Sequence, residues 1–222
     1  MVKKSSSGTV WPGPALPASC AIRPLSIQRM RSSMRDFPLN NVSPFATMPD
    51  GQAHGAIHIA PVRTGFVFHV LGQATGTIDQ TRQQQLQKMM DAIAPDLGGE
   101  LRVLSPGQWF WVGENDVSQG RFGEIAGQLP GEFALSDQTH GRVRLRVTGA
   151  RVCDVLAKGV MIDLDEGIFG VGQSAMTQIG HIGAMVTRLD RDSFEITVLR
   201  SFADSLWHEL HHMAAEFNGP HS

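Results

Sequence analysis

The chain has 222 residues, enough for one large domain or two small ones, and its 41% hydrophobic and 18% charged content is the balance expected of a soluble globular protein. The net charge of −2 conceals a basic start: Lys3, Lys4, Arg23, Arg29, Arg31 and Arg35 stand against Asp36, so the remainder is acidic, which argues against a nucleic-acid surface. Two cysteines, Cys20 and Cys153, argue against a disulfide framework; with no apolar run near the ~18 residues of a membrane span and no secretory core, a cytoplasmic location is expected.

Residues 1–52 carry Pro12, Pro14, Pro17, Pro24, Pro38, Pro44 and Pro49, too many for helix or central strand. They are expected to form a disordered basic Pro/Ser-rich arm outside the fold. Strands follow at 56–60 and 65–71, the latter with Phe66, Phe68 and Val70 on one face. A helix from Asp79 to Ala94 carries Leu86, Met89, Met90 and Ile93 as one apolar stripe, its glutamines and arginines facing water. Short strands at 101–104 and 109–112 flank the turn Ser105-Pro106-Gly107, and a weaker helix at 117–127 precedes a strand near 133–135.

The second half repeats this order. Residues 142–147 alternate, with Val143, Leu145 and Val147 on one face and Arg142, Arg144 and Arg146 on the other, as in a half-buried antiparallel strand. Gly149 opens a helix that Gly159 ends. Strands at 173–179, 182–189 and 193–199 lead to a closing helix at 202–217. Ser201 is its expected N-cap, with Asp204 at capping-box spacing, and Phe202, Leu206, Leu210, Met213 and Phe217 form its stripe. The expected fold class is α+β: two similar β-β-α-β-β(-β)-α subdomains, at 53–136 and 137–222, with largely antiparallel sheets.

One motif looks like chemistry. His208-Glu209-Leu210-His211-His212 matches H-E-x-x-H, which in zinc proteases sets two imidazoles on one helix face beside a general base. A third ligand is missing: Ala215 and Asn218 stand where the extended motif has Gly and His, and ten residues after His212 leave little room for another. His208 and His212 also lie off the apolar stripe, so no metal site is expected. Gly170-Val171-Gly172-Gln173-Ser174-Ala175 fits G-x-G-x-x-A but is followed by a strand, not the required helix. Asp163 and Asp165 lack the rest of a calcium loop. Trp109 and Trp111 share a strand face, and packing outweighs a stacking surface for a ligand such as folate. No catalytic, cofactor-binding or metal residue is assigned.

Arg142–Val147, Gly149-Ala150-Arg151, Asp154–Gly159, Asp163-Leu164 and above all Arg200-Ser201-Phe202-Ala203-Asp204-Ser205-Leu206-Trp207 resemble the gamma subunit of heterotetrameric sarcosine oxidase. The resemblance covers about residues 55 to 218. It implies the folate-binding fold of the glycine-cleavage T-protein and a structural, cofactor-free chain. The implied complex has alpha, beta and delta partners, converts sarcosine to glycine, and passes the one-carbon unit to tetrahydrofolate. FAD, FMN, NAD and folate would sit on partner subunits and zinc on the delta chain. Candidate subunit-interface residues are Arg142, Arg144 and Arg146 on one strand face, and Arg200, Trp207, His208 and His211 along the closing helix. Two alternatives remain: a stand-alone folate-dependent aminomethyltransferase-like protein, and the equivalent subunit of an N-methylglutamate dehydrogenase-type complex.

Overall fold

A computed structural model describes residues 51–218 apart from Thr75. All but the last two residues of the expected N-terminal arm, together with Cys20, lie outside the described residues.

Among the described residues, ten strands form two antiparallel sheets. The small sheet holds β3 (Phe66–Leu71), β4 (Glu100–Ser105), β5 (Gln108–Gly113) and β6 (Ala134–Asp137), in the order β4-β5-β3-β6. The large sheet holds β1 (Gln52–His54), β2 (Ile57–Val62), β7 (Arg142–Thr148), β8 (Ser174–Ile179), β9 (Ile182–Asp190) and β10 (Ser193–Leu199), in the order β1-β2-β7-β10-β9-β8. The α+β class with antiparallel sheets is therefore as expected. The strand pairing could not be read from the chain order. β2 lies in the first half of the sequence, yet it pairs with β7, His58 opposite Thr148 and Val62 opposite Arg144.

Each sheet carries its helices on one face. Helix α1 (Gln80–Ile93) starts at Asp79, whose carboxylate accepts hydrogen bonds from the Thr81 and Arg82 amides. Helix α2 (Gln119–Gln128) is capped in the same way by Ser118. Both cover the small sheet, burying Leu86, Met90 and Ile125 against Phe66, Phe68, Trp109 and Trp111. The tryptophans thus pack in the core on one strand face, as the alternation implies. Helix α3 (Val152–Leu156) and helix α4 (Ala203–Ala214) cover the large sheet, where Leu206, Leu210 and Met213 meet Ile59, Leu145, Val147 and Ile196.

The glutamines of α1 do not all face water. Gln83 Nε2 donates to the Leu101 carbonyl at 2.9 Å, and Gln87 exchanges bonds with Gly99 and Leu101, each at 2.8 Å. These amides occupy the outer main chain of β4, an edge strand whose polar groups need partners.

The start of α4 also differs from the capping-box expectation. Arg200–Phe202 is a 3₁₀ turn, the N-cap is Phe202, and no side chain caps the helix. At three residues per turn the helical phase shifts, which rotates Phe202 off the apolar stripe and leaves it 41% exposed.

Candidate functional site

The two sheets stack with their helix-free faces together. Val67 of β3, Phe110 and Val112 of β5, and Met185 of β9 form a small apolar layer between them. A buried cluster of one carboxylate and three arginines lies in the same layer.

In β10 the alternation puts Phe194, Ile196 and Val198 toward the helices and Glu195 and Thr197 toward the other sheet. In β7 it puts Val143, Leu145 and Val147 toward the helices and the arginines inward. Antiparallel register sets Glu195 opposite Arg146 and Thr197 opposite Arg144. From the small sheet, Arg102 of β4 donates a hydrogen bond to the Glu195 carboxylate. Arg144 and Arg146 stand 3.6 and 3.4 Å from that carboxylate, and both also approach Glu114 at the end of β5. Arg144 further donates to the Thr64 carbonyl at 2.6 Å and the Gly113 carbonyl at 3.2 Å. Arg142 lies over the Phe110 ring at 4.9 Å.

Glu195 is 0% exposed and Arg144 4% exposed. Burial alone would raise the Glu195 carboxyl; the charges of Arg102 and Arg144, the Arg102 hydrogen bond and the charge of Arg146 outweigh it and hold the group below the ordinary carboxylate range. Burial lowers Arg144 against the opposing pull of Glu195 and Glu114. The cluster is therefore a charge-paired ionic seam between the sheets, in which Arg102 Nε, Arg144 Nη1 and Arg146 Nε are buried without a hydrogen-bond partner. Its carboxylate oxygens are already engaged by arginines and are poorly placed to accept a substrate proton.

Arg144 is buried here, which does not fit its reading as a surface for a partner chain, whereas Arg142 is half-buried and the Arg146 side chain stays 38% exposed. Alternation establishes only that the three share a face; the second sheet lies over that face. Trp207 is also corrected. It belongs to the wide apolar arc Ala203, Leu206, Trp207, Leu210, Met213 and Ala214, and is only 7% exposed. His211 is half-buried beside it, its ring 4.2 Å from the Trp207 ring and its Nδ1 2.8 Å from the Trp207 carbonyl. Arg200 is half-buried in the 3₁₀ turn, its amide donating to the Gly141 carbonyl at 2.9 Å. His208 is exposed, as its helical position implies, with Nδ1 2.8 Å from the Asp204 carbonyl.

The remaining motifs have local roles. His212 is exposed on α4, and among the described residues no group of three or more His, Cys, Asp or Glu side chains is placed to hold a metal. The glycine-rich segment 170–175 turns into β8 rather than into a helix, with the Gly172 amide donating to the Arg188 carbonyl at 2.8 Å. Asp163 and Asp165 each accept an amide two residues ahead, from Asp165 and Gly167, and so hold a loop in shape. Arg188, missed in the sequence, is buried on the helix side of β9. It donates to the Leu164 carbonyl and to Cys153 Sγ, and lies 4.8 Å from the Phe194 ring centre. Burial pushes the Cys153 thiol above its ordinary value despite the nearby Arg188 charge.

The model of one protein family, sarcosine oxidase gamma subunit, matches residues 75–216. The chain belongs to that family. Among solved structures it is similar to a chain of the heterotetrameric sarcosine oxidase from Corynebacterium sp. U-96, solved with pyrrole 2-carboxylate. That match has a TM-score of 0.65 and 18% identity, covering 82% of this chain and 98% of the other. The glycine cleavage system aminomethyltransferase T from Bartonella henselae aligns at a TM-score of 0.48 and 18% identity, covering 81% of this chain and 53% of that one. At such identities the first likeness speaks to the fold. A sequence search among curated proteins finds no match. Among the described residues, no helix of this gamma-family chain is long and apolar enough to cross a membrane.

Proposed function

We propose that this chain is a structural, non-catalytic gamma-type subunit of a sarcosine oxidase complex. The family match over residues 75–216 carries the reading. The inter-sheet seam supports it, because Glu195, the fully buried carboxylate among the described residues, is committed to holding two sheets together. In this reading alpha, beta and delta subunits are the partners. The complex works in the cytoplasm, converting sarcosine to glycine and delivering the one-carbon unit to tetrahydrofolate. The gamma-type chain itself binds no cofactor; FAD, FMN, NAD and folate belong to the partner subunits and zinc to the delta chain.

The test is to purify the chain alone and then from cells that make its partners. Alone, it is expected to show no flavin absorbance, no stoichiometric zinc and no heat of folate binding. With its partners, it is expected to elute with flavin-bearing subunits that oxidise sarcosine. Tight folate binding by the isolated chain would instead favour a stand-alone aminomethyltransferase-like protein. A complex that oxidises N-methylglutamate and not sarcosine would move the chain to that related assembly.

A further inference from the structure

Arg142, Arg144 and Arg146 share one strand face but not one electrostatic environment. Arg144 stands 3.6 Å from both Glu114 and Glu195, and Arg146 lies 3.0 and 3.4 Å from the same two acids. Arg142 is different. Among the described residues its side chain makes no ion pair and no hydrogen bond, and its Nε is buried without a partner. Burial lowers its pKa, and no carboxylate opposes that shift as Glu195 and Glu114 do for Arg144.

The side chains that meet Arg142 bring no acid. Its guanidinium carbon lies 4.9 Å from the Phe110 ring centre. His69 stands edge-on to that ring at 5.3 Å, with its Nε2 3.1 Å from Gln108 Oε1. Asp137 of the neighbouring β6 pairs with Phe68, so it belongs to the opposite, helix-covered face, and it accepts the Thr139 amide. All of this lies at one end of the inter-sheet layer. Arg142 is the first residue of β7 and Gln108 the first of β5, while Leu199 and Leu71 end β10 and β3. Register sets Leu199 opposite Arg142 and Leu71 opposite Gln108, so each leucine shares the face of its cross-strand partner. The two are nevertheless 43% and 36% exposed, because the layer stops there.

A half-buried guanidinium has given up part of its water and, without a counter-charge, recovers nothing for it. A carboxylate is the group that fits, because it accepts two parallel N–H bonds from the guanidinium edge. The flanking leucines favour an occupant that also brings apolar surface, which a protein segment does and a hydrated small anion does not. A second copy docked about a two-fold axis through this end would set Arg142 against Arg142 and supply no acid. We infer that the end of the inter-sheet layer at Arg142 is a docking point for an aspartate or glutamate of a different subunit. The carboxylate meets Arg142, and apolar side chains beside it cover Leu71 and Leu199. The inference rests on the subunit reading above and names a contact through which this chain is held.

The experiment isolates the full-length tagged chain with its co-produced partner subunits. Wild type is compared with Arg142→Glu, Arg142→Gln and the control Arg191→Glu, which makes the same charge change at an exposed turn. Arg142→Glu is expected to lose about tenfold or more of the co-eluting subunit and Arg142→Gln less, while the control retains it. Circular dichroism and thermal melts of each isolated variant establish that it is folded. With p-benzoylphenylalanine in place of Leu199, ultraviolet crosslinking of the complex should capture a peptide of another subunit that contains Asp or Glu. Replacing that acid with lysine should restore binding to Arg142→Glu. Retention of the partner by a folded Arg142→Glu chain, a crosslink to a second copy, a captured peptide without an acid, or no crosslink to a bound subunit would each overturn the inference. Were Arg142→Glu not to fold, the crosslink on the otherwise wild-type chain decides alone. A wild-type chain that elutes with no partner would overturn the subunit reading itself, and this inference with it.

Discussion

Arg102 and Glu195, separated by 93 positions, join the two sheets: the guanidinium of an edge strand in one donates to a fully buried carboxylate in the other. Arg144 and Arg146 reach the same carboxylate from the neighbouring strand, so three arginines share one acid. Such a cluster is costly to desolvate and costly to break. It favours one stacking of the sheets, because sliding either sheet would leave a buried charge alone.

Removal of the shared acid should therefore be severe. Glu195→Gln is expected to lose about 3–5 kcal/mol of stability, as typical for a buried pair broken from one side. Arg102→Met should lose less, because Arg144 and Arg146 still neutralise the carboxylate. Urea denaturation of both variants and the double variant measures the coupling. Additive losses would show that the pair does not act as a unit.

Stability should decline on the acid side in two stages. Glu195 is depressed, so its contribution is whole above the ordinary value of 4.5 and is lost as pH falls through the lower folded value. His69 is also lowered from 6.5, through burial first, with Gln108 opposing and Arg142 assisting. Its folded form resists protonation, so its contribution is whole above 6.5 and declines as pH falls toward the folded value. Denaturation midpoints between pH 7 and pH 3 check this: Glu195→Gln should flatten the lower limb and His69→Gln the upper.

Gly65 should tolerate no side chain. Its φ is +100°, and a Cβ there would lie 2.1 Å from the Gly113 carbonyl oxygen and 2.5 Å from Arg144 Nη2. Gly65→Ala is expected to cost at least about 1–3 kcal/mol from strain alone and to displace the arginine from its carbonyls. Gly131→Ala, where a Cβ meets nothing within 4 Å, is the control and should stay within about 0.5 kcal/mol. Thermal melts of the two separate backbone strain from a general effect of added bulk.

The closing helix should respond by face, not by motif. Trp207→Ala is expected to cost about 3–5 kcal/mol as a buried aromatic truncation. His208→Ala and His212→Ala, both at exposed positions, should change stability by less than about 0.5 kcal/mol. Neither histidine variant should alter a zinc titration followed by calorimetry. A zinc affinity lost with both would revive the metal motif.

Most element types were legible in the sequence because hydrophobic periodicity is a local property, though β1 was not expected and the helix between Gly149 and Gly159 is shorter than its glycine bounds. Val143-Arg144-Leu145-Arg146-Val147 can only be a strand with two unlike faces, and Asp79 announces a helix that its carboxylate does cap. The sequence also carried the family signature that the match over 75–216 bears out. Tertiary structure alone decided which faces see water. The arginine face became an interior seam because a second sheet lies on it, Trp207 was drawn into the core by a helix face wider than its stripe, and Phe202 was turned outward by a 3₁₀ turn. Burial depends on what other elements bring to a face, and β2 joining β7 across some 80 residues is not written in either strand's own pattern.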